Sequence, residues 1–193
     1  MITFLRSVVI ATFVCTSFTA LANWQLEGQQ SSLSFVSIKK QDIAEVHRFD
    51  RLSGFINDDG QAQIDIALNS VNTGIDIRDT RMKQMLFNTD QFATAVVRAE
   101  VSESMLAGLT LGQVHPLTLE GHLDLHGKSQ PFTAKCRVIR VDKNTLFVST
   151  SQPVVISASD FGLSEGVTKL TEIAGLPSIS NAVPVTFSLV FTR

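Results

Sequence analysis

Tyrosine is absent from this chain, tryptophan occurs once, and only five prolines and two cysteines are spread over 193 residues. Each shortage excludes something. Cys15 and Cys136 form no Cys-x-x-Cys pair, so neither a redox dithiol nor a cysteine-rich zinc site is encoded. Without tyrosine there are no clear aromatic girdles of the kind that mark both rims of a membrane-spanning β-barrel. Basic residues are not in excess, at 16 Lys+Arg against 18 Asp+Glu, which argues against a nucleic-acid surface. Gly-x-Ser-x-Gly and His-Glu-x-x-His are missing as well, so no familiar nucleophile turn or zinc-hydrolase helix can be read.

What is present begins with an export signal. Arg6 gives a charged start, "SVVIATFVCTSFTALA" is apolar and uncharged, and Ala20-Leu21-Ala22 supplies a small-x-small end. This pattern predicts a secretory signal peptide over residues 1–22, cleaved before Asn23, and hence an exported protein. The apolar run is short for a membrane span. Thr12-Phe13-Val14 are too bulky ahead of Cys15 for lipid attachment, so Cys15 is expected to leave with the peptide. A single domain is then expected over 23–193, with 15 Lys+Arg against 18 Asp+Glu and a net charge of −3. Cys136, left alone, can make no internal disulfide and reads as a small buried apolar residue, with an intermolecular bridge as the alternative.

Alternation of apolar and polar residues dominates this domain, which is the signature of half-buried strands. Ile64, Ile66 and Leu68 share one parity, as do Leu117, Leu119, Leu123 and Leu125, and as do Val183, Val185, Phe187, Leu189 and Phe191. Asn57-Asp58-Asp59-Gly60, Gly127-Lys128 and Asp142-Lys143-Asn144 supply turns, and Pro153 marks a bulge or an edge. Eight or nine strands joined mostly by hairpins predict an all-β, antiparallel sandwich or barrel, and strands of about ten residues favour the barrel.

Two segments break the alternation. In Ser159–Ser180, Val167, Leu170, Ile173 and Ala174 recur at helical spacing before Gly175, which reads as a short helix with a glycine stop. In "NTGIDIRDTRMKQMLF", Asn72 to Phe87, Asp76 reads as a helix cap and Asp79 as an i, i+4 partner of Lys83. Met82, Met85 and Leu86 then share a face, with Arg78 on or beside it. That face is either core, with Arg78 and Asp79 as structural ion-pair partners, or the lining of a cavity mouth. In the second reading the thioethers suit variable apolar ligands and Arg78 meets an anionic head group.

Candidate chemistry is sparse. "GHLDLHGKS" resembles a phosphate-binding loop but has five residues between Gly121 and Gly127 instead of four, and it alternates as a strand. His122, Asp124 and His126 share a strand face, yet three ligands in a row on a strand span about 13 Å, too far for one ion. A two-ligand site completed elsewhere stays open. Acids otherwise stand singly on strand faces. No catalytic residue, metal or cofactor is assigned on these grounds.

Taken in order, the segments resemble the YceI-like family. "NWQLEGQQSSLSF", "LSGFI", "TGIDIRD", "LTLEGHLDLHGKSQPF" and "ISASDFGL" follow the family's opening Trp-Ser-Phe, Gly-Phe strand, Thr-Gly-x-x-x-Arg-Asp segment, long hairpin and late Asp-Phe-Gly. Arg81-Met82 stands where the family usually has His-Leu, and Leu86-Phe87-Asn88 where it has Asp-Phe-Phe-Asp, so a divergent member is expected. The resemblance implies an extended antiparallel eight-stranded lipocalin-like β-barrel with one or two short helices, no catalysis, an isoprenoid lipid as partner and, together with the export signal, a periplasmic location. Parity then nominates Phe35, Phe55, Ile66, Leu119, Leu123 and Phe187 to line the lipid chain, joined by Met82, Met85 and Leu86 at the mouth. Two alternatives accompany the lipid carrier. One is a ligand-free, stress-related homodimer. The other is an enzyme acting on a lipid through Asp79, Asp124 or a histidine. Neither nucleic acid nor stable membrane insertion is expected.

Overall fold

The structure, a computed structural model, describes residues 24–193. The expected signal peptide therefore lies outside the described residues. Twelve antiparallel strand segments follow the alternation. They are β1 Trp24–Leu26, β2 Ser32–Lys39, β3 Ile43–Phe49, β4 Leu52–Ile56, β5 Gln61–Ala67, β6 Val71–Asn72, β7 Thr94–Glu100, β8 Val114–Leu125, β9 Lys128–Arg140, β10 Thr145–Thr150, β11 Val154–Ser157 and β12 Ala182–Thr192. Pairing runs β1-β4-β5-β7-β8-β9-β10-β12 and returns to β1, which closes an eight-stranded barrel.

The remaining segments extend these strands. β2 and β3 continue the β1–β4 ladder beyond short breaks, β6 continues β5, and β11 continues β10 past Pro153. Proline has no N–H to give to a ladder, so the interruption falls where the sequence placed it. β12 joins the two ends of the chain. Its first half pairs β2 on one edge and β11 on the other, and its second half pairs β1 and β10. Closure pairs each strand of the ring on both sides over at least part of its length, which removes most of the free edge that is the usual hazard of an open sheet.

One stretch of ring is incomplete. β8 is matched to β9 along its whole length, but β7 meets it only from Gly121 to Asp124. Helix α2, Glu103–Ala107, lies before the unmatched half of β8, and Met105, Leu106 and Leu109 from its neighbourhood carry apolar side chains to the interior. Ser102 caps this helix by accepting the Met105 N–H. Gly121 explains why β7 and β8 can approach at all. A Cβ there would stand 2.3 Å from the Arg98 carbonyl oxygen and 3.0 Å from the Phe132 ring.

The expected helix in Asn72–Phe87 exists but differs in detail. Helix α1, Asp76–Arg81, runs into a π-helical turn, Met82–Phe87, that ends at Asn88 in the left-handed region (φ 47°). Asp76 is the first helical residue and makes no cap bond. Asp79 reaches back instead of forward. It accepts the Thr73 N–H (2.8 Å) and hydroxyl (2.5 Å), and no ion pair with Lys83 forms. Helix α3, Ser164–Ile173, crosses the π turn at Gly166, where a Cβ would lie 2.7 Å from the Met85 carbonyl oxygen. Gly175 (φ 61°) stops α3, as the sequence predicts. Three short α-helices thus occur among the described residues, one more than expected, and none is long and apolar enough to cross a membrane.

Candidate ligand-binding cavity

The inward strand faces do not fill the barrel. They enclose a cavity of about 390 Å³ with an almost wholly apolar wall, drawn from every strand of the ring except β1 and from α1, the π turn and α3. This is the size of a small-molecule pocket. Of the residues nominated from sequence, Phe35, Ile66, Leu119, Leu123 and Phe187 lie on the wall, and Met82, Leu86 and Arg78 join them at one end.

Three nominated residues are elsewhere, each for a definable reason. Phe55 is on the outer face. Leu52 and Ile56, buried at 8% and 4% exposure, fix the inward parity of β4, and Phe55 falls between them. The inward position beside it is Gly54, which lets β5 come close, since a Cβ there would sit 2.3 Å from the Gln63 carbonyl oxygen. Met85 is 36% exposed and off the wall. The i→i+5 geometry of the π turn buries Met82 and Phe87 together and rotates Met85 outward, which a 3.6-residue period cannot anticipate. Asp79 is held by Thr73 and is not part of the wall.

The wall changes character at the end closed by α1. On β2, the inward positions Leu33, Phe35, Ser37 and Lys39 pass from apolar to charged. On β3 the paired positions Phe49, His47 and Glu45 do the same. Glu45 is the hub. It accepts Lys39 Nζ at 2.7 Å on one oxygen and Arg78 Nη1 at 2.6 Å on the other. Arg78 also donates to the Thr73 carbonyl at 2.7 Å. The hydrogen bond from Lys39, with Arg78 adding its charge, holds the Glu45 carboxyl below its ordinary range.

His47 is 3% exposed, packed against Phe35 at 5.2 Å between ring centroids, with Nε2 2.8 Å from the Ser37 hydroxyl. Burial, and then the neighbouring Arg78 charge, depress its pKa, so the imidazole is neutral at pH 7. Two buried nitrogens of this cluster, His47 Nδ1 and Arg78 Nε, have no hydrogen-bond partner. Lys39, Glu45 and His47 were missed from sequence. Their signal was available in "SFVSIKK" and "AEVHRF", where charged and polar residues continue the parity of Phe35 and Phe49.

The histidines and acid of "HLDLH" do not converge. Asp124 is ion-paired to Arg98, His126 sits in the turn against Phe92 at 4.3 Å, and His122 is exposed. No cluster of three metal-ligating side chains occurs among the described residues. Cys136 is free, 2% exposed, and its thiol is pushed up to about 11 by burial, which makes it a packing residue and not a reactive one.

Comparison with known proteins agrees with this geometry. A polyisoprenoid-binding domain from Saccharophagus degradans is 40% identical, with a TM-score of 0.86 over 90% of this chain and 99% of that one. BcnA of Burkholderia cenocepacia (20% identity, TM-score 0.63, 86% and 98% covered) and the YCEI protein of Campylobacter jejuni (18%, 0.59, 81% and 90%) share the fold. A search of curated proteins finds no match. The model of the YceI-like domain matches residues 24–191, so this chain, with its closed eight-stranded barrel, belongs to the YceI-like family.

Proposed function

We propose that this protein is a periplasmic carrier that holds the chain of an isoprenoid lipid inside its barrel for transport, storage or protection. The observation that carries the reading is the 390 Å³ cavity, apolar along the barrel and polar only at one end. Such a shape fits a long hydrocarbon with a single polar terminus, because removing apolar chain from water is favourable by about 25 cal/mol per Å². The polyisoprenoid-binding domain that is 40% identical over 90% of this chain supports the same ligand class. The export pattern of residues 1–22 supports the compartment. The role asks for no reaction. The Glu45 carboxylate is neutralised by two cations and His47 is buried and neutral, which suits recognition better than proton transfer.

Native purification, solvent extraction and mass spectrometry of the extract test the reading. A prenol, prenyl ester or prenylated quinone in near-equimolar amount is the expected result. An empty extract, together with no uptake of added prenol, would sink it and leave the ligand-free homodimer as the better account.

A further inference from the structure

The polar end of the cavity has an imbalance of charge. Lys39, Arg78 and Arg81 lie on its wall against a single carboxylate, Glu45. Glu45 is fully engaged, one oxygen to Lys39 and the other to Arg78. Arg81, one helical turn beyond Arg78 on α1, has no hydrogen-bond or ion-pair partner among the described residues, and Arg78 Nε is a second donor left unmatched. His47 adds no charge. Asp79, the nearest other acid on α1, is turned to Thr73 and away from the wall. Even with Asp79 counted, cations prevail.

We propose that this end is a subsite for an oxyanion carried on the tip of the long apolar ligand, with Arg81 as its principal cation and the Arg78 side chain beside it. The inference rests on the lipid-carrier reading and narrows it. A guanidinium next to a low-dielectric wall pairs strongly with phosphate or carboxylate oxygens and gains little from a neutral hydroxyl. The Glu45 hub has the matching role. It keeps Lys39 and Arg78 fixed and partly neutralised, so that the free charge is concentrated on Arg81. A phosphate ester and a fatty carboxylate share the required chemistry, and the test separates them.

The full chain, stripped of endogenous lipid, is titrated at low salt with a prenyl monophosphate, the corresponding prenol, a fatty acid and a branched hydrocarbon of matched chain length. The phosphate or the carboxylate is expected to bind at least about tenfold tighter than the prenol. Whichever of the two is tighter names the source of the oxyanion. Raising the salt narrows the gap, because the Arg81 site opens toward solvent. In Arg81→Gln the oxyanion-to-prenol ratio is expected to fall to about threefold or less, whereas Arg81→Lys, which keeps the charge but loses the planar fork, falls between Arg81→Gln and the unmodified protein. Equal affinity for oxyanion and prenol in the unmodified protein overturns the proposal, as does an Arg81→Gln ratio equal to that of the unmodified protein. Failure of all four probes to bind is a different result. It removes the carrier reading itself, and this subsite with it.

Discussion

Filling the cavity distinguishes an open barrel from a packed one. Ala62 on β5 and Val185 on β12 are half-buried wall residues in different sectors of the ring. Ala62→Phe and Val185→Phe together add about 150 Å³ of side chain. That is more than a third of the 390 Å³ available. In a packed core, two enlargements of this kind cost about 1–3 kcal/mol each. For a domain of this size the sum is a fall in Tm of about 5–20 °C. In an open cavity the new rings enter empty space, bury apolar surface and leave Tm within about 3 °C. Thermal unfolding of delipidated protein, read beside the lipid recovered from native material, decides the matter. The expected double variant melts normally and carries much less lipid. A drop in Tm beyond 5 °C, or undiminished lipid, would refute the reasoning from an open lumen.

Other perturbations probe particular contacts. Glu45→Gln removes a carboxylate held below its ordinary value of 4.5 by Lys39 and Arg78. A depressed folded-state pKa stabilises above the unfolded value and is lost as pH falls through the folded one. The unmodified protein should thus exceed Glu45→Gln by up to about 1 kcal/mol at pH 7, for a bridge a third exposed, with the gap in Tm closing below pH 4.5. Gly121→Ala places a Cβ 2.3 Å from the Arg98 carbonyl oxygen, which should part β7 from β8 and cost about 2 kcal/mol or more in urea unfolding. Cys136, with its thiol at about 11 and 2% exposed, should resist iodoacetamide at pH 8 until the barrel unfolds, as mass analysis would report.

The barrel was largely legible because alternation is a local property. Leu117, Leu119 and Leu123, or Val185, Phe187 and Leu189, declare a shared face without reference to any other strand. The turns at Gly60 and Gly127 are equally local, since each residue sits at positive φ, 80° and 75°. Errors arose where a contact with another element sets the geometry. Phe55 was assigned the wrong parity of β4, whose inward positions are Leu52, Gly54 and Ile56, because Gly54 had to face inward for β4 to meet β5. Met85 followed the α-helical period, but the segment that α3 crosses at Gly166 winds as a π turn. Helix α2 went unread because five residues give too short a window for periodicity to register.

By itself, then, the sequence determined most of the strand faces and turns, the family and the apolar nature of the interior, all carried by neighbours along the chain. Tertiary structure alone decided that β1 and β12 close the ring and that the interior stays open. It alone brought Lys39, Glu45 and Arg78 to one point and left Arg81 free beside them. Closure, empty volume and charge balance depend on residues far apart in sequence meeting at fixed distances, and alternation along a strand carries no record of distance across the barrel.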